Sequence, residues 1–500
     1  MKNNLTTKLN DSSFIFNDDI KVWTKEKVAP FMYSDGDEAE NYLISVLEQT
    51  QDHSVFSDEL KPWIKDWPSL YHLSSRRSNL LQPFKSWFNG KRVLEIGCGC
   101  GAITRFLAEA GATVISVEGS IRRARIASKR CADLENVTVI CCPSDQLPDL
   151  GEFDAVMLIG VLEYASMFLG TDGDTTLLQN CRERLNKNGC LFVAIENKIG
   201  AKYLAGANED HLAVPMVGVN DAYKDKSVRT YARQELINKL SGAGFPQTQE
   251  FVPLPDYKLP VTVVSPIGTT KYSPQLSSLA VESVAADMQG VADYHFSLEQ
   301  FNHIVWQNSL APELSNSFLM VAGNNISEIC NQSILAWHYS DARSQENNKE
   351  TVFKLDDNEQ INVISKSLSI ENDEVSINEP FYQGESLWRE VVRIVNLRDW
   401  TVSELTDVFI KWLKVISSPS DDIIPSFEDT ISNDYFDALP FNIINDGNGG
   451  YTIFDREWDN GKTSKFGLIA WRGVFHSLFR IKSYESSSSV FAKTYFDLAS

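Results

Sequence analysis

The sequence holds no apolar run of about 18 residues, the length a membrane-crossing helix needs, and its first nineteen residues are polar, without the apolar core of a secretion signal. Cysteine is sparse, eight in 500 residues, and no C-x-x-C pair occurs. Seven of the eight lie between Cys98 and Cys190, and Cys98 and Cys100 stand too close for a zinc knuckle without partners. Neither a disulfide framework nor a metal centre is expected, and the cysteines read as small buried hydrophobes. Reduced thiols and the absent leader predict a cytoplasmic location. Positive charge is also short: 46 Lys and Arg stand against 67 Asp and Glu, a formal charge of -21. Such a chain repels a phosphate backbone, so nucleic acid is not an expected partner. Arg122, Arg123, Arg125, Lys129 and Arg130 cluster on one helix and read as a solvated face. No internal repeat is visible. With 43% apolar and 11% aromatic residues, the length suggests about two to four globular domains.

What is present concentrates in one stretch. Val93-Leu94-Glu95-Ile96 is a short apolar strand carrying an acid, and it turns through Gly97, Gly99 and Gly101 into an apolar helix over 102–110. A strand, a glycine turn and a helix let a nucleotide-like ligand lie against bare backbone. A phosphate-binding loop needs Gly-Lys-Ser/Thr, and a dinucleotide fold places its third glycine further along the helix. Here the pattern is E-x-G-x-G-x-G. A second strand over 113–117 ends at Glu118, 23 residues after Glu95, placed to chelate two ribose hydroxyls. A third over 137–142 runs into Pro143-Ser144-Asp145, a fourth over 153–159 into Gly160-Val161-Leu162-Glu163-Tyr164, and a fifth covers 191–195.

As a set these features resemble the class I S-adenosylmethionine-dependent methyltransferases over residues 80 to 260. The resemblance implies an α/β, Rossmann-like fold with S-adenosyl-L-methionine as cofactor. It sets Glu95 and the Gly97, Gly99 and Gly101 turn against the methionine part, Glu118 on the ribose, Asp145 near the adenine amino group and Gly160 in the cofactor wall. In that fold N-terminal helices cover the cofactor. Here 1–30 reads as a loosely ordered lead-in. A helix with Ala39, Tyr42, Leu43, Val46 and Leu47 on one face follows, then one capped by Ser57 and carrying Leu60, Trp63 and Ile64, then one over 76–88. His72 reads as a hydrogen-bonded packing residue.

After the fifth strand a polar, Gly-punctuated segment from Glu196 precedes a helix at 231–243. A loop this long in a compact domain is functional or mobile, and it sits at the carboxyl edge of the sheet, where open α/β folds bind ligands. It reads as the acceptor-binding segment over 197–220. This loop and Pro255-Asp256-Tyr257-Lys258-Leu259-Pro260 resemble bacterial methyltransferases of glycan assembly, which implies a glycan or small-molecule acceptor. A hydroxyl acceptor needs a base within hydrogen-bond reach. His211 leads, because an unperturbed imidazole with a pKa of about 6.5 is largely free at neutral pH, with Asp210 and Glu163 in reserve. Glu209-Asp210-His211 is not expected to hold a metal, since three adjacent loop side chains rarely converge on one ion.

Two helical stretches, 276–288 and 298–310, precede an apolar strand over 317–322. The strand reads as the last, antiparallel one of the methyltransferase sheet, with 266–315 inserted before it. The predicted organisation is a helical cap over 1–80, a methyltransferase domain over 81–325 and an α+β domain over 326–500. Within the last, Asp437 precedes Asn442 by five positions and Asp455 by eighteen, the kinase spacing of catalytic Asp, metal-binding Asn and metal-binding Asp. Pro380-Phe381-Tyr382-Gln383-Gly384-Glu385 resembles the hinge of small-molecule kinases of the aminoglycoside phosphotransferase type. No glycine loop is visible, and Lys366, the candidate strand lysine, precedes Gln383 by only 17 residues, too few to include the helix that carries its glutamate partner. The expectation is a degenerate kinase-like lobe, the alternative a bifunctional kinase-methyltransferase resembling enzymes that cap surface polysaccharides, or an assembly platform.

Overall fold

Val93, Leu94 and Ile96 alternate between two cores. Leu94 and Ile96 join Ile115, Val117 and Leu158 on one face of a sheet, while Val93 joins Val114, Ala155 and Met157 on the other. A strand buried on both faces reads as a continuous apolar run, the mark of a parallel sheet covered on both sides. The computed structural model describes residues 2–27, 34–289, 294–368, 376–417, 424–455 and 461–485. The chain forms two units. The first takes Met1–Tyr203, Asn208–Thr270 and Pro312–Glu379, and the second Leu204–Ala207, Lys271–Ala311 and Pro380–Ser500.

In chain order the strands of the first unit are β1 (Phe14–Asn17), β2 (Val22–Lys25), β3 (Arg92–Ile96), β4 (Thr113–Glu118) and β5 (Val137–Cys141). They continue with β6 (Phe153–Ile159), β7 (Leu185–Glu196), β8 (Gln247–Leu254), β9 (Thr262–Val264) and β10 (Ser317–Gly323). Last come β11 (Ile334–Ser340), β12 (Lys349–Leu355), β13 (Ile361–Ser367) and β14 (Ser376–Pro380). Their order is β1-β2-β5-β4-β3-β6-β7-β10-β8-β9-β11-β12-β13-β14. The segment β5-β4-β3-β6-β7 is parallel, and β10 runs antiparallel to β7, pairing Met320 with Val193. This is the expected Rossmann-like methyltransferase sheet, with the expected antiparallel strand set between β7 and β8 rather than at its edge. The helix Asp37–Gln49 packs Leu43, Val46 and Leu47 with Cys100 and Ile126, above the glycine turn.

Four expectations are corrected. The lead-in is ordered where described: the helix Lys2–Asp11 and the β1–β2 hairpin extend the sheet, with Trp23 beside Ile140. Leu9, Phe14 and Val22 anchor it, too far apart to give a periodic signal. The helix expected over 76–88 breaks into Arg76–Asn79, a tight turn Gln82–Phe84 and Lys85–Phe88, because Pro83 cannot continue the hydrogen-bond ladder. After Ser57 only the turn Lys61–Trp63 forms, with Pro62 inside it. The boundary expected at 325/326 falls inside the first unit. There β11 pairs with β9, Trp337 opposite Val263, so strands given to a separate domain cover an edge the methyltransferase sheet would otherwise expose. The inserted helices instead belong to the second unit.

The second unit packs Trp388, Val391, Trp412, Phe441, Phe466 and Ile469 in one core. The helices Leu387–Val395, Val402–Ile416 and Phe466–Phe479 supply most of it, and Thr401 with Glu404 caps the second of these. Its strands are β15 (Glu385–Ser386), β16 (Thr430–Ser432), β17 (Ile443–Asn445), β18 (Tyr451–Ile453) and β19 (Thr463–Lys465), in sheets β15-β17-β18 and β16-β19. Among the described residues no helix is long and apolar enough to cross a membrane.

Candidate active site

The turn after β3 is built by its glycines. Gly97, Gly99 and Gly101 adopt φ of 76°, 55° and 83°, which L side chains rarely enter. The N–H groups of Gly97 and Cys98 both donate to the Val117 carbonyl, at 2.8 and 3.0 Å, and fold the turn over the end of β4. Above it lies a cavity of about 440 Å³ lined by Glu95, Gly97, Gly99, Glu118, Asp145 and Gly160, six of the seven residues expected around the cofactor. Gly101 is the exception. A Cβ there would stand 2.8 Å from Ala127 Cα, so this glycine lets two helices approach rather than facing the cavity.

Glu118 ends β4 with its carboxylate pinned, Oε2 accepting from Gly99 N–H at 2.8 Å and Oε1 from Ser120 N–H at 2.9 Å. Glu95 accepts from the Thr104 and Ser116 hydroxyls at 2.5 and 2.9 Å. Burial pushes its carboxyl up to about 7 against the pull of those two bonds. His72 is buried, bonds Asp35 Oδ2 at 3.0 Å and lines the cavity. Arg77 and Tyr164 also line it and were not predicted. Arg77 donates to the Tyr257 and Lys258 carbonyls at 3.2 and 3.1 Å and stacks 4.4 Å from the Tyr71 ring. Only the folded chain brings those partners together. Tyr164, by contrast, directly follows Glu163 in the sequence and had a signal available.

The expected catalytic residues gather behind the cavity wall at Gly160 and Tyr164. A Cβ on Gly160 would meet the Tyr257 hydroxyl at 2.8 Å and Glu163 Oε1 at 3.5 Å. The Tyr164 hydroxyl lies 2.9 Å from His211 Nδ1, and His211 Nε2 lies 3.3 Å from Glu196 Oε2. Lys258 Nζ donates to both Glu196 and Asp210, and Lys202 Nζ reaches Asp210 at 3.2 Å and Asp256 at 3.4 Å. The structure thus joins His211, Asp210 and Glu163 with Glu196, Lys258 and Lys202, which sequence reasoning missed as site residues. Glu196 and Lys258 do fall within the stretches that suggested the acceptor loops.

His211 is corrected as a free base. Burial opposes its charge, but Glu196 and then Glu163 outweigh that and raise the imidazole to about 9, so it holds its proton at neutral pH. Asp210 is held in its charged form by Lys202 and Lys258. Glu163 is pushed up to about 8, first by burial and then by Glu196. The segment around His211 is strained, with Ala213, Met216, Asp221 and Lys226 all at φ between 48° and 62°. Non-glycine residues in this region cost free energy and concentrate at functional sites.

In the second unit Asn442 Nδ2 donates to the Asp437 carbonyl at 2.9 Å, and Asp437 Oδ1 pairs with Arg472 at 2.7 Å. Asp455 follows the β17–β18 hairpin with φ of 58°. Lys366 lies on β13 of the first unit, paired with Glu350 at 3.0 Å.

Residues 93–189 match the family described as "Methyltransferase domain". The ubiquinone biosynthesis O-methyltransferase of Haemophilus ducreyi is 28% identical over 153 residues, 27% of this chain and 61% of that protein. The demethylmenaquinone methyltransferase of Tropheryma whipplei is 37% identical over 82 residues, 16% of this chain and 34% of that protein. This chain therefore spans less than two thirds of the length of these curated relatives. A solved structure of phosphoethanolamine N-methyltransferase 2 from Haemonchus contortus, with phosphomonomethylethanolamine and S-adenosylhomocysteine, aligns at a TM-score of 0.31 and 15% identity, covering 50% of this chain and 52% of that one.

Proposed function

We propose that this chain, which carries a class I S-adenosylmethionine-dependent methyltransferase domain over residues 93–189, moves a methyl group from S-adenosylmethionine to a hydroxyl or other polar group of a sugar, glycan precursor or similar small acceptor. The cavity fits the cofactor. Gly97 and Gly99 present bare backbone to it, and the pinned carboxylate of Glu118 stands at its edge. When bound, the cofactor supplies an electrophilic methyl on a sulfonium. In this reading Glu118 holds the ribose hydroxyls, Glu95 and the Gly97 to Gly99 turn meet the methionine part, and Asp145 takes the adenine amino group. No metal is needed for the displacement itself, because holding the acceptor oxygen in line with the methyl supplies much of the acceleration.

The observation that carries the acceptor class is the charged wall. Tyr164 lines the cavity and bonds His211, behind which stand Glu163, Glu196, Asp210 and Lys258. Buried charged and polar groups of this density suit a polar acceptor. The ubiquinone biosynthesis relative is named an O-methyltransferase, which supports oxygen as the methylated atom. The test is to incubate the chain with labelled S-adenosylmethionine and a panel of nucleotide sugars, lipid-linked sugars, phenols and small metabolites. Label on a sugar supports the reading, and label confined to phenols overturns the acceptor class.

A second reading adds phosphoryl transfer by the second unit, favoured by the Asp437, Asn442 and Asp455 spacing and the Asn442 to Asp437 bond. Against activity, Arg472 holds the Asp437 carboxylate. Phosphoryl transfer depends on positioning parts, and Lys366, the one strand lysine the sequence offered, lies in the other unit. A kinase-like lobe without turnover is the better fit.

A further inference from the structure

We propose that Glu163, Glu196 and His211 form a binding site for one divalent first-row cation, with an oxygen of the acceptor completing its coordination. The second clause rests on the methyl-transfer reading; the first does not. These side chains come from three separate places, the turn after β6, the end of β7 and the loop beyond it. Each offers one ligand atom, and the three atoms lie within 4.8 Å of one another. Ligand atoms about 2.0–2.2 Å from a tetrahedral ion stand roughly 3.3–3.6 Å apart, so side-chain shifts of up to about 1 Å close the set.

Three further observations point to a cation. Glu163 is 1% exposed, and neither carboxyl oxygen has a hydrogen-bond partner among the described residues. An unpartnered buried carboxyl is costly. Glu196 divides its oxygens, Oε1 taking Lys258 and, at 3.3 Å, the Tyr257 hydroxyl, which leaves Oε2 toward His211 Nε2. With its Nδ1–H donated to the Tyr164 hydroxyl, His211 ligates through Nε2 once the ion displaces the proton that otherwise faces Glu196, the outer-shell arrangement typical of ligating histidines. Charge points the same way. Glu196, Asp210 and Asp256 pair with Lys202 and Lys258, and Glu163 and Glu209 add two more carboxyl groups beside His211, five acidic side chains to three basic ones. One imidazole with two carboxylates suits Mn²⁺, Fe²⁺ or Zn²⁺ better than Ca²⁺, which takes oxygen alone. Tyr164 lines the cofactor cavity, so an ion beside its partner His211 stands next to where the methyl is delivered.

The competing explanation is a proton on Glu163, and one experiment separates the two. The full chain, stripped with a chelator, is titrated with Mn²⁺ while free ion is followed by electron paramagnetic resonance, and with Zn²⁺ by calorimetry. S-Adenosylhomocysteine binding is measured on the same samples. The proposal expects one ion per chain in the wild type and at least a tenfold loss of affinity in Glu163→Gln and in Glu196→Gln, both still binding S-adenosylhomocysteine. Wild type that retains neither ion, or variants that bind as tightly as wild type, overturn it. If a variant fails to fold, the wild-type titration and His211→Gln decide. Loss of S-adenosylhomocysteine binding with ion binding intact would instead strike the methyl-transfer reading.

Discussion

Gly99 and Gly101 stand two residues apart in one turn, yet a side chain at each meets something different. At Gly99 a Cβ would meet the tip of Arg123 at 2.7 Å, beside the cavity, whereas at Gly101 it meets Ala127 backbone at 2.8 Å. Arg123 can swing away and backbone cannot. Gly101→Ala should therefore cost stability, roughly 1–3 kcal/mol as for overpacking, while Gly99→Val should mainly abolish cofactor binding. Melting curves and calorimetry on both variants check this, and the reverse pattern would contradict it. The sequence made the glycines visible as a group, but which one serves the ligand depends on a helix twenty residues away. Glu95 adds a pH dependence. Its carboxyl is raised to about 7 in the fold, so the folded state binds its proton more tightly than the unfolded chain. The resulting stability is complete below the ordinary carboxylate range and lost as pH rises through about 7. Glu95→Gln removes that dependence, so the melting temperature of the variant relative to wild type should rise between pH 5 and pH 8. A constant difference would show that Glu95 keeps an ordinary pKa.

Among the elements, those whose register is set by local pattern were legible. Phe153–Ile159 was placed to the residue, because its apolar run is bounded by turn residues on both sides. The β1–β2 hairpin was not, since its anchors Phe14 and Val22 are separated by a polar turn and find their partners only on the sheet. β11 to β13 lie in the stretch assigned to a separate domain, as the pairing of β11 with β9 across about 70 residues leaves no local trace. For the loop after β7, length and position gave the functional reading, while the left-handed residues within it came from the structure. Ala213 at φ 54° gives a test. The left-handed conformation costs about 1 kcal/mol or more for a residue with a Cβ, and glycine relieves it at an unfolded-chain penalty of about 0.4–1 kcal/mol. Ala213→Gly should leave the melting temperature nearly unchanged and Ala213→Val should lower it. Equal melting of both variants would mean the loop relaxes freely in solution.

For the whole molecule, the first unit combines a cavity with a charged wall behind it. The cofactor side of that site was legible because strand, turn and acid recur in fixed order along the chain. The wall was only half legible, because Glu196 and Lys258 lie 62 residues apart and meet through folding alone. The second unit should give no thermal shift when the full chain is heated with ATP and Mg²⁺, since Asp437 is already paired with Arg472. A rise of several degrees, abolished by Asp455→Asn, would restore the bifunctional reading. The central claim is that the Gly97 to Gly99 turn and Glu118 hold S-adenosylmethionine, and calorimetry on wild type and Glu118→Ala tests it most directly. The account predicts one molecule of S-adenosylmethionine or S-adenosylhomocysteine bound per wild-type chain, with affinity at least tenfold weaker once the Glu118 carboxylate is gone. No binding to wild type, or equal affinity in the variant, would contradict it.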